Sequence, residues 1–87
     1  MSLNEFVSLF GKEFFEVDFE YRGRNFHLGC YYTKKLFKKG YIEYWFYEHD
    51  IPDSFIKIRT LDELLDIKVC GVKLKNSIND FKILIMY

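Results

Sequence analysis

The sequence is short of several residue types, and each shortage excludes a class of protein. Its 87 residues include no alanine, no glutamine, one proline and five glycines. Proline and glycine are too few for a flexible or low-complexity linker, so residues 1–87 are predicted to form one small domain. The 13 basic and 13 acidic side chains cancel, which argues against a dedicated, charge-driven binder of nucleic acid or membranes.

Long hydrophobic runs and cysteine pairs are scarce as well. The longest uncharged apolar stretch, Ile83 to Tyr87, is far below the roughly 20 residues that a transmembrane helix needs. The N-terminus lacks the pattern of a signal peptide, so we expect a cytoplasmic protein with no membrane partner. Cys30 and Cys70 are the only cysteines, and a secreted domain of this size normally carries several disulfides. Both are therefore expected to be reduced and buried.

Aromatic residues are abundant instead, at 21% of the chain, and they follow regular patterns. Ser2 and Glu5 form a capping box at the start of a predicted helix, in which Leu3, Phe6, Val7 and Phe10 share one apolar face and Gly11 follows as the end signal. A second capping box in residues 60–63 predicts another short helix.

Alternation of apolar and polar residues predicts a hairpin over residues 15–32. A two-residue turn at Gly23 and Arg24 would pair Tyr21 with Phe26 and place Glu20 opposite His27. Residues 41–48, 55–59 and 83–87 are predicted as further strands. The predicted fold class is α+β, with an N-terminal helix, an antiparallel sheet of four to five strands and two short C-terminal helices.

The segments 18–26 (DFEYRGRNF), 60–65 (TLDELL) and 69–74 (VCGVKL) carry a resemblance. In these segments the chain resembles a group of small uncharacterised proteins of low-GC Gram-positive bacteria and their phages. The matching residues belong to the core, the helix caps or the turns. The resemblance therefore implies a shared fold and brings no activity with it.

Histidine, cysteine and carboxylates do not form a recognisable catalytic or metal-binding pattern. His27 and Cys30 are three residues apart, and an odd spacing on a strand sends two side chains to opposite faces. The acidic residues alternate as on the solvated side of strands. We therefore predict a protein that is not an enzyme, with no catalytic residue, no metal site and no cofactor.

The surplus of aromatic residues is the best functional clue. If the helices cover one face of the sheet, the aromatic residues inside are Phe15, Phe19, Tyr21, Phe26, Tyr44 and Phe46, with Phe6 and Phe10 of the first helix opposite them. A second aromatic face is then left over. Either a C-terminal helix covers that face, or it binds a partner protein, with a second copy of the chain as one option. On the second interpretation the partner-binding residues are Tyr31, Tyr41, Trp45 and Tyr47, and Lys34 and Lys35 steer an acidic partner.

The alternative function is binding of single-stranded nucleic acid. Residues 22–39 contain six basic and no acidic residues, with aromatic residues among them, and such surfaces stack bases while neutralising phosphates. The neighbouring acidic strand, residues 16–20, would repel phosphates, so protein interaction is the favoured hypothesis.

Overall fold

A computed structural model describes residues 1–10, 15–33 and 41–86, which form an α+β fold. Helix α1 (Leu3–Phe10) is followed by strands β1 (Phe15–Tyr21), β2 (Arg24–Thr33) and β3 (Tyr41–Glu48). A 3-10 turn at Pro52–Ser54 leads to β4 (Ile56–Ile58) and helix α2 (Leu61–Asp66). The chain then forms β5 (Lys68–Val69), β6 (Val72–Lys73), helix α3 (Leu74–Ser77), a 3-10 turn at Ile78–Asp80 and β7 (Lys82–Met86).

The main sheet has five strands in the order β4-β3-β2-β1-β7, with every neighbouring pair antiparallel. This confirms the predicted fold class. The hairpin of β5 and β6 is a separate two-stranded sheet, which the sequence analysis did not anticipate. None of the described helices is long and apolar enough to cross a membrane.

The two capping boxes begin helices as predicted. The Ser2 hydroxyl oxygen accepts the backbone N–H of Glu5 at 3.1 Å, and the Thr60 hydroxyl oxygen accepts that of Glu63 at 3.1 Å. The predicted apolar face of α1 is only half right, because Phe6 and Phe10 are buried whereas Leu3 and Val7 are 36% and 39% exposed. The predicted helix end at Gly11 lies outside the described residues.

The register of the first hairpin differs from the prediction by two residues. The turn consists of Arg22 and Gly23, with φ angles of 53° and 77°, so both central residues are left-handed as in a type I′ turn. As a result Phe19 lies opposite Phe26, and the partner of His27 is Asp18, where the prediction placed Glu20. A shift of two residues keeps each side chain on its predicted face and changes only its neighbour.

The core lies between one face of the sheet and all three helices. The buried side chains of α1, α2 and α3 cluster with those of β1, β2, β3 and β4. Both cysteines are free: Cys30 is fully buried in this core, where burial raises the pKa of its thiol, and Cys70 is half-buried. The predicted core residues that cluster here are Phe6, Phe10, Phe19, Tyr21, Phe26, Tyr44 and Phe46. The side chain of Phe15, also predicted to be inside, lies outside the described part of the chain.

Candidate functional site

The face of the sheet opposite the core carries both aromatic and charged side chains. The buried residues of the helices all belong to the other face, so the described part of the chain places no helix here. Directly opposite residues of antiparallel strands share a face, which makes the set clear from the register. We call this surface the open face, and its members are Glu16, Asp18, His27, Tyr31, Glu43, Trp45, Tyr47, Phe55 and Lys57.

Four aromatic rings run across the open face. The centroids of Tyr31 and Trp45 are 4.4 Å apart, those of Trp45 and Phe55 5.6 Å, and those of Phe55 and Tyr47 6.2 Å. Tyr31, Trp45 and Tyr47 are half-buried, and Phe55 is 41% exposed. The rings thus form a continuous apolar row that remains accessible to another molecule.

A glycine in β2 makes the position of the first ring possible. A Cβ atom added to Gly29 would lie 2.6 Å from the ring of Tyr31, because that ring lies directly over the glycine backbone. From there the Tyr31 hydroxyl donates a hydrogen bond to the carboxylate of Glu16, which is the residue opposite Gly29 on β1. The absence of a side chain at Gly29 is therefore necessary for the position of Tyr31 on the open face.

Cations and a buried carboxylate surround Trp45. The carboxylate of Glu43 accepts the indole N–H of Trp45, with Lys57 Nζ at 4.0 Å and Arg59 Nε at 3.7 Å. Its side chain is only 9% exposed, whereas those of Lys57 and Arg59 are 58% and 65% exposed. The Lys57 ammonium also lies 5.6 Å from the centre of the Trp45 ring. At this end of the open face the solvent therefore meets positive charge and an aromatic ring.

A second polar cluster lies under Tyr47. The Oδ1 atom of Asp18 accepts hydrogen bonds from His27 Nδ1 at 2.7 Å and from His49 Nε2 at 3.2 Å. Asp18 and His27 are each 8% exposed, and the ring of Tyr47 stacks on that of His27 at 4.9 Å. His27 Nε2 is 3.5 Å from Glu16, which links this cluster to Tyr31. The carboxylates of β1 are thus held by donors from β2 and from the turn that follows β3.

The structure brings together half of the predicted partner-binding residues. Tyr31, Trp45 and Tyr47 share the open face, whereas the side chain of Tyr41 and the whole of Lys34 and Lys35 lie outside the described residues. Six further members of the open face were not predicted as site residues: Glu16, Asp18, His27, Glu43, Phe55 and Lys57. The pairing of Asp18 with His27 depends on the correct hairpin register, and the short strand β4 could not be positioned from its pattern. The signal available for Asp18 was Gly23, which type I′ turns favour at the second central position.

An apolar groove continues the row of rings at the end of β3. It has a volume of about 370 Å³, is open to solvent, and is lined by Tyr47, Glu48, Asp50, Ile51, Pro52 and Phe55. Ile51 is 48% exposed, so the groove offers an apolar wall that the fold itself leaves uncovered.

No protein-family model, curated protein or solved structure matches this chain. The resemblance to small proteins of low-GC bacteria and their phages therefore stays a prediction. Within residues 1–10, 15–33 and 41–86, no group of three or more His, Cys, Asp or Glu side chains is arranged to hold a metal ion. Any functional proposal thus rests on the rings, charges and groove of the open face.

The tyrosines of this face are poor acids. Burial, followed by the hydrogen bond to Glu16, raises the pKa of Tyr31 well above its usual range. Burial and the nearby carboxylates of Asp18 and Glu16 also raise the pKa of Tyr47. The neutral phenols are therefore favoured in the folded state, so the stability of the domain should decrease at alkaline pH.

We expect the part of the free energy of unfolding that Tyr31 and Tyr47 contribute to be constant below about pH 9 and to fall as the pH rises through about 10. The buried Cys30 thiol adds a separate loss that begins at lower pH, because the ordinary pKa of a thiol is about 8.5. The unfolded chain releases its tyrosine protons first, near the usual pKa of about 10, and this favours unfolding by up to about 1.4 kcal/mol per pH unit for each such tyrosine. Urea unfolding between pH 8 and pH 11 measures the slope. The double variant Tyr31→Phe, Tyr47→Phe should have a shallower slope, and an equal slope in both proteins would contradict the assignment.

Proposed function

We propose that this chain is a non-enzymatic, cytoplasmic protein-interaction module that binds an acidic partner protein through the open face. The observation that carries the proposal is the row of four rings, which ends in an apolar groove and which no described helix covers. Tyrosine and tryptophan are the residues most often found as anchors of protein interfaces. Accessible rings in a continuous row are costly to leave in water without such a role.

The expected chemistry of the partner follows from the charges beside the rings. Glu43 is buried and already surrounded by donors, so the exposed charges beside it are those of Lys57 and Arg59. A partner with acidic side chains would form ion pairs with these cations at the rim of the interface. One of its apolar side chains would enter the groove between Tyr47 and Phe55, where both rings can contact it.

The double variant Trp45→Ala, Tyr47→Ala tests this function. We expect it to lose partner binding by roughly 30-fold or more, because interface anchors of this type contribute about 2 kcal/mol or more when truncated. Immobilised wild-type and variant domains are compared for capture from a lysate of a low-GC bacterium with and without nuclease. The control Leu3→Ala, Val7→Ala removes exposed apolar groups from α1 and should bind like the wild type.

Each outcome of that experiment has a defined meaning. A nuclease-resistant protein band that the double variant loses and the control keeps supports the proposal. A band that also weakens with Lys57→Glu supports an acidic partner, and one indifferent to this charge reversal excludes that chemistry. Capture that disappears with nuclease would replace the proposal by the alternative of single-stranded nucleic-acid binding through residues 22–39. If the double variant no longer unfolds cooperatively like the wild type, Trp45 and Tyr47 belong to the core, and the open face is not a binding site.

A further inference from the structure

The two edges of the main sheet differ in how they are protected. At one edge β4 is only three residues long and has Lys57 at its centre. Short edge strands and lysines are common devices against pairing with another chain. At the other edge β7 has five residues, Lys82–Met86, of which the last four are apolar. Only one of the two edges is therefore protected.

The unprotected edge is also exposed. Leu84, Ile85 and Met86 are 44%, 50% and 49% exposed. Among the described residues β7 pairs only with β1, so the backbone N–H and C=O groups on its outer side have no neighbouring strand. What fits such an edge is another extended segment, which would satisfy those groups and cover the apolar side chains.

The arrangement of side chains on β7 makes a second copy of the same strand a matching occupant. Ile83 lies opposite Phe19 and Met86 opposite Val17, so both point to the core face. Ile85 lies opposite Asp18 and therefore points to the other side of the sheet. The register of β7 against β1 shifts between Ile83 and Ile85, so Leu84 is an extra residue, as in a β-bulge. If two β7 strands pair antiparallel about an axis between Leu84 and Ile85, each Ile83 lies opposite Met86 of the other copy. Core-face side chains then meet core-face side chains.

Charge selects the same arrangement. Lys82 is the only charged residue of β7, and antiparallel pairing about that axis puts the two copies of Lys82 at opposite ends of the paired segment. Parallel, in-register pairing would instead place like charges side by side. We propose that two copies of this chain form a closed dimer by antiparallel pairing of β7 with β7, which extends each five-stranded sheet into a continuous sheet of ten strands.

Sedimentation equilibrium over a range of concentrations tests the dimer, with Ile85→Lys as the disrupting variant. Its dissociation constant should rise roughly a hundredfold, because the two-fold axis introduces each change twice. The matched control is Ile56→Lys, since Ile56 is 41% exposed on the opposite edge strand and takes the same new charge. The control should dimerise like the wild type.

Amide hydrogen exchange provides a readout that requires no variant. In a β7-paired dimer the amides of β7 that point away from β1 should exchange more slowly at high protein concentration than after dilution, while those of β4 do not change. A wild type that stays monomeric at millimolar concentration would overturn the proposal. So would a dimer that Trp45→Ala, Tyr47→Ala abolishes and Ile85→Lys preserves, because that dimer would form through the open face. A partner protein that binds the wild type and not Ile85→Lys would show that the β7 edge pairs with that partner and would overturn the proposed dimer.

Discussion

Phe19→Ala is expected to lower the free energy of unfolding by about 3–5 kcal/mol, the usual range for truncating a buried phenylalanine. Phe19 is 1% exposed. Its ring stacks on those of Phe81 at 4.1 Å and Phe26 at 5.4 Å, so it connects the sheet to the segment that precedes β7. Truncation removes these contacts and leaves a cavity that the rigid neighbours fill only in part.

Urea unfolding of Phe19→Ala beside Phe55→Ala measures this effect. Both variants lose the same atoms, but Phe55 is 41% exposed and its loss should cost about 1 kcal/mol or less. A small domain has limited stability, so the milder variant Phe19→Leu keeps the comparison possible if Phe19→Ala does not fold. Equal losses at positions 19 and 55 would show that the core does not depend on the stacked rings.

The second large effect is expected at Asp18. Asp18→Ala should cost about 1–3 kcal/mol, because the buried His27 would lose the acceptor of its Nδ1 atom. The same change also removes the acceptor of His49 and leaves the stacked ring of Tyr47 without a fixed support. Thermal or urea unfolding measures the loss, and the NMR signals of the two imidazole rings should move together.

Glu20 supplies the matched control for this prediction. It is also acidic, lies on the same strand and faces the same side of the sheet as Asp18, but it lies opposite Asn25 and Lys82. Glu20→Ala should change the stability by no more than about 0.5 kcal/mol, as is usual for surface substitutions. A larger loss at Glu20 than at Asp18 would refute the register of the hairpin as well as the role of the cluster.

The sequence predicted what depends on local pattern. The alternation along β1 and β2 assigned Phe19, Phe26 and Tyr21 to the core, because the period of two fixes the face of a strand regardless of its exact partner. The capping boxes likewise located the starts of α1 and α2, since a cap needs only residues three positions apart.

What the sequence could not predict depends on distant contacts or on the precise turn. The turn at Arg22 and Gly23 requires a left-handed backbone at Arg22, which the identity of that residue does not predict. As a result, the sequence prediction paired His27 with Glu20, whereas its partner in the structure is Asp18. The position of β7 beside β1 depends on packing between two segments that are far apart in the chain, so no local pattern predicts it. The hairpin of β5 and β6 was missed because strands of two residues have no detectable period.

Position 29 shows how a residue without a side chain can determine the shape of a binding surface. The Tyr31 ring occupies the space that a Cβ atom at position 29 would take. A larger residue at position 29 would therefore displace the ring and break its hydrogen bond to Glu16. A smaller residue at position 31 would in turn expose the backbone of Gly29. The two positions therefore act as one structural unit, and a substitution at position 29, which has no side chain to offer a partner, would be enough to disrupt the open face.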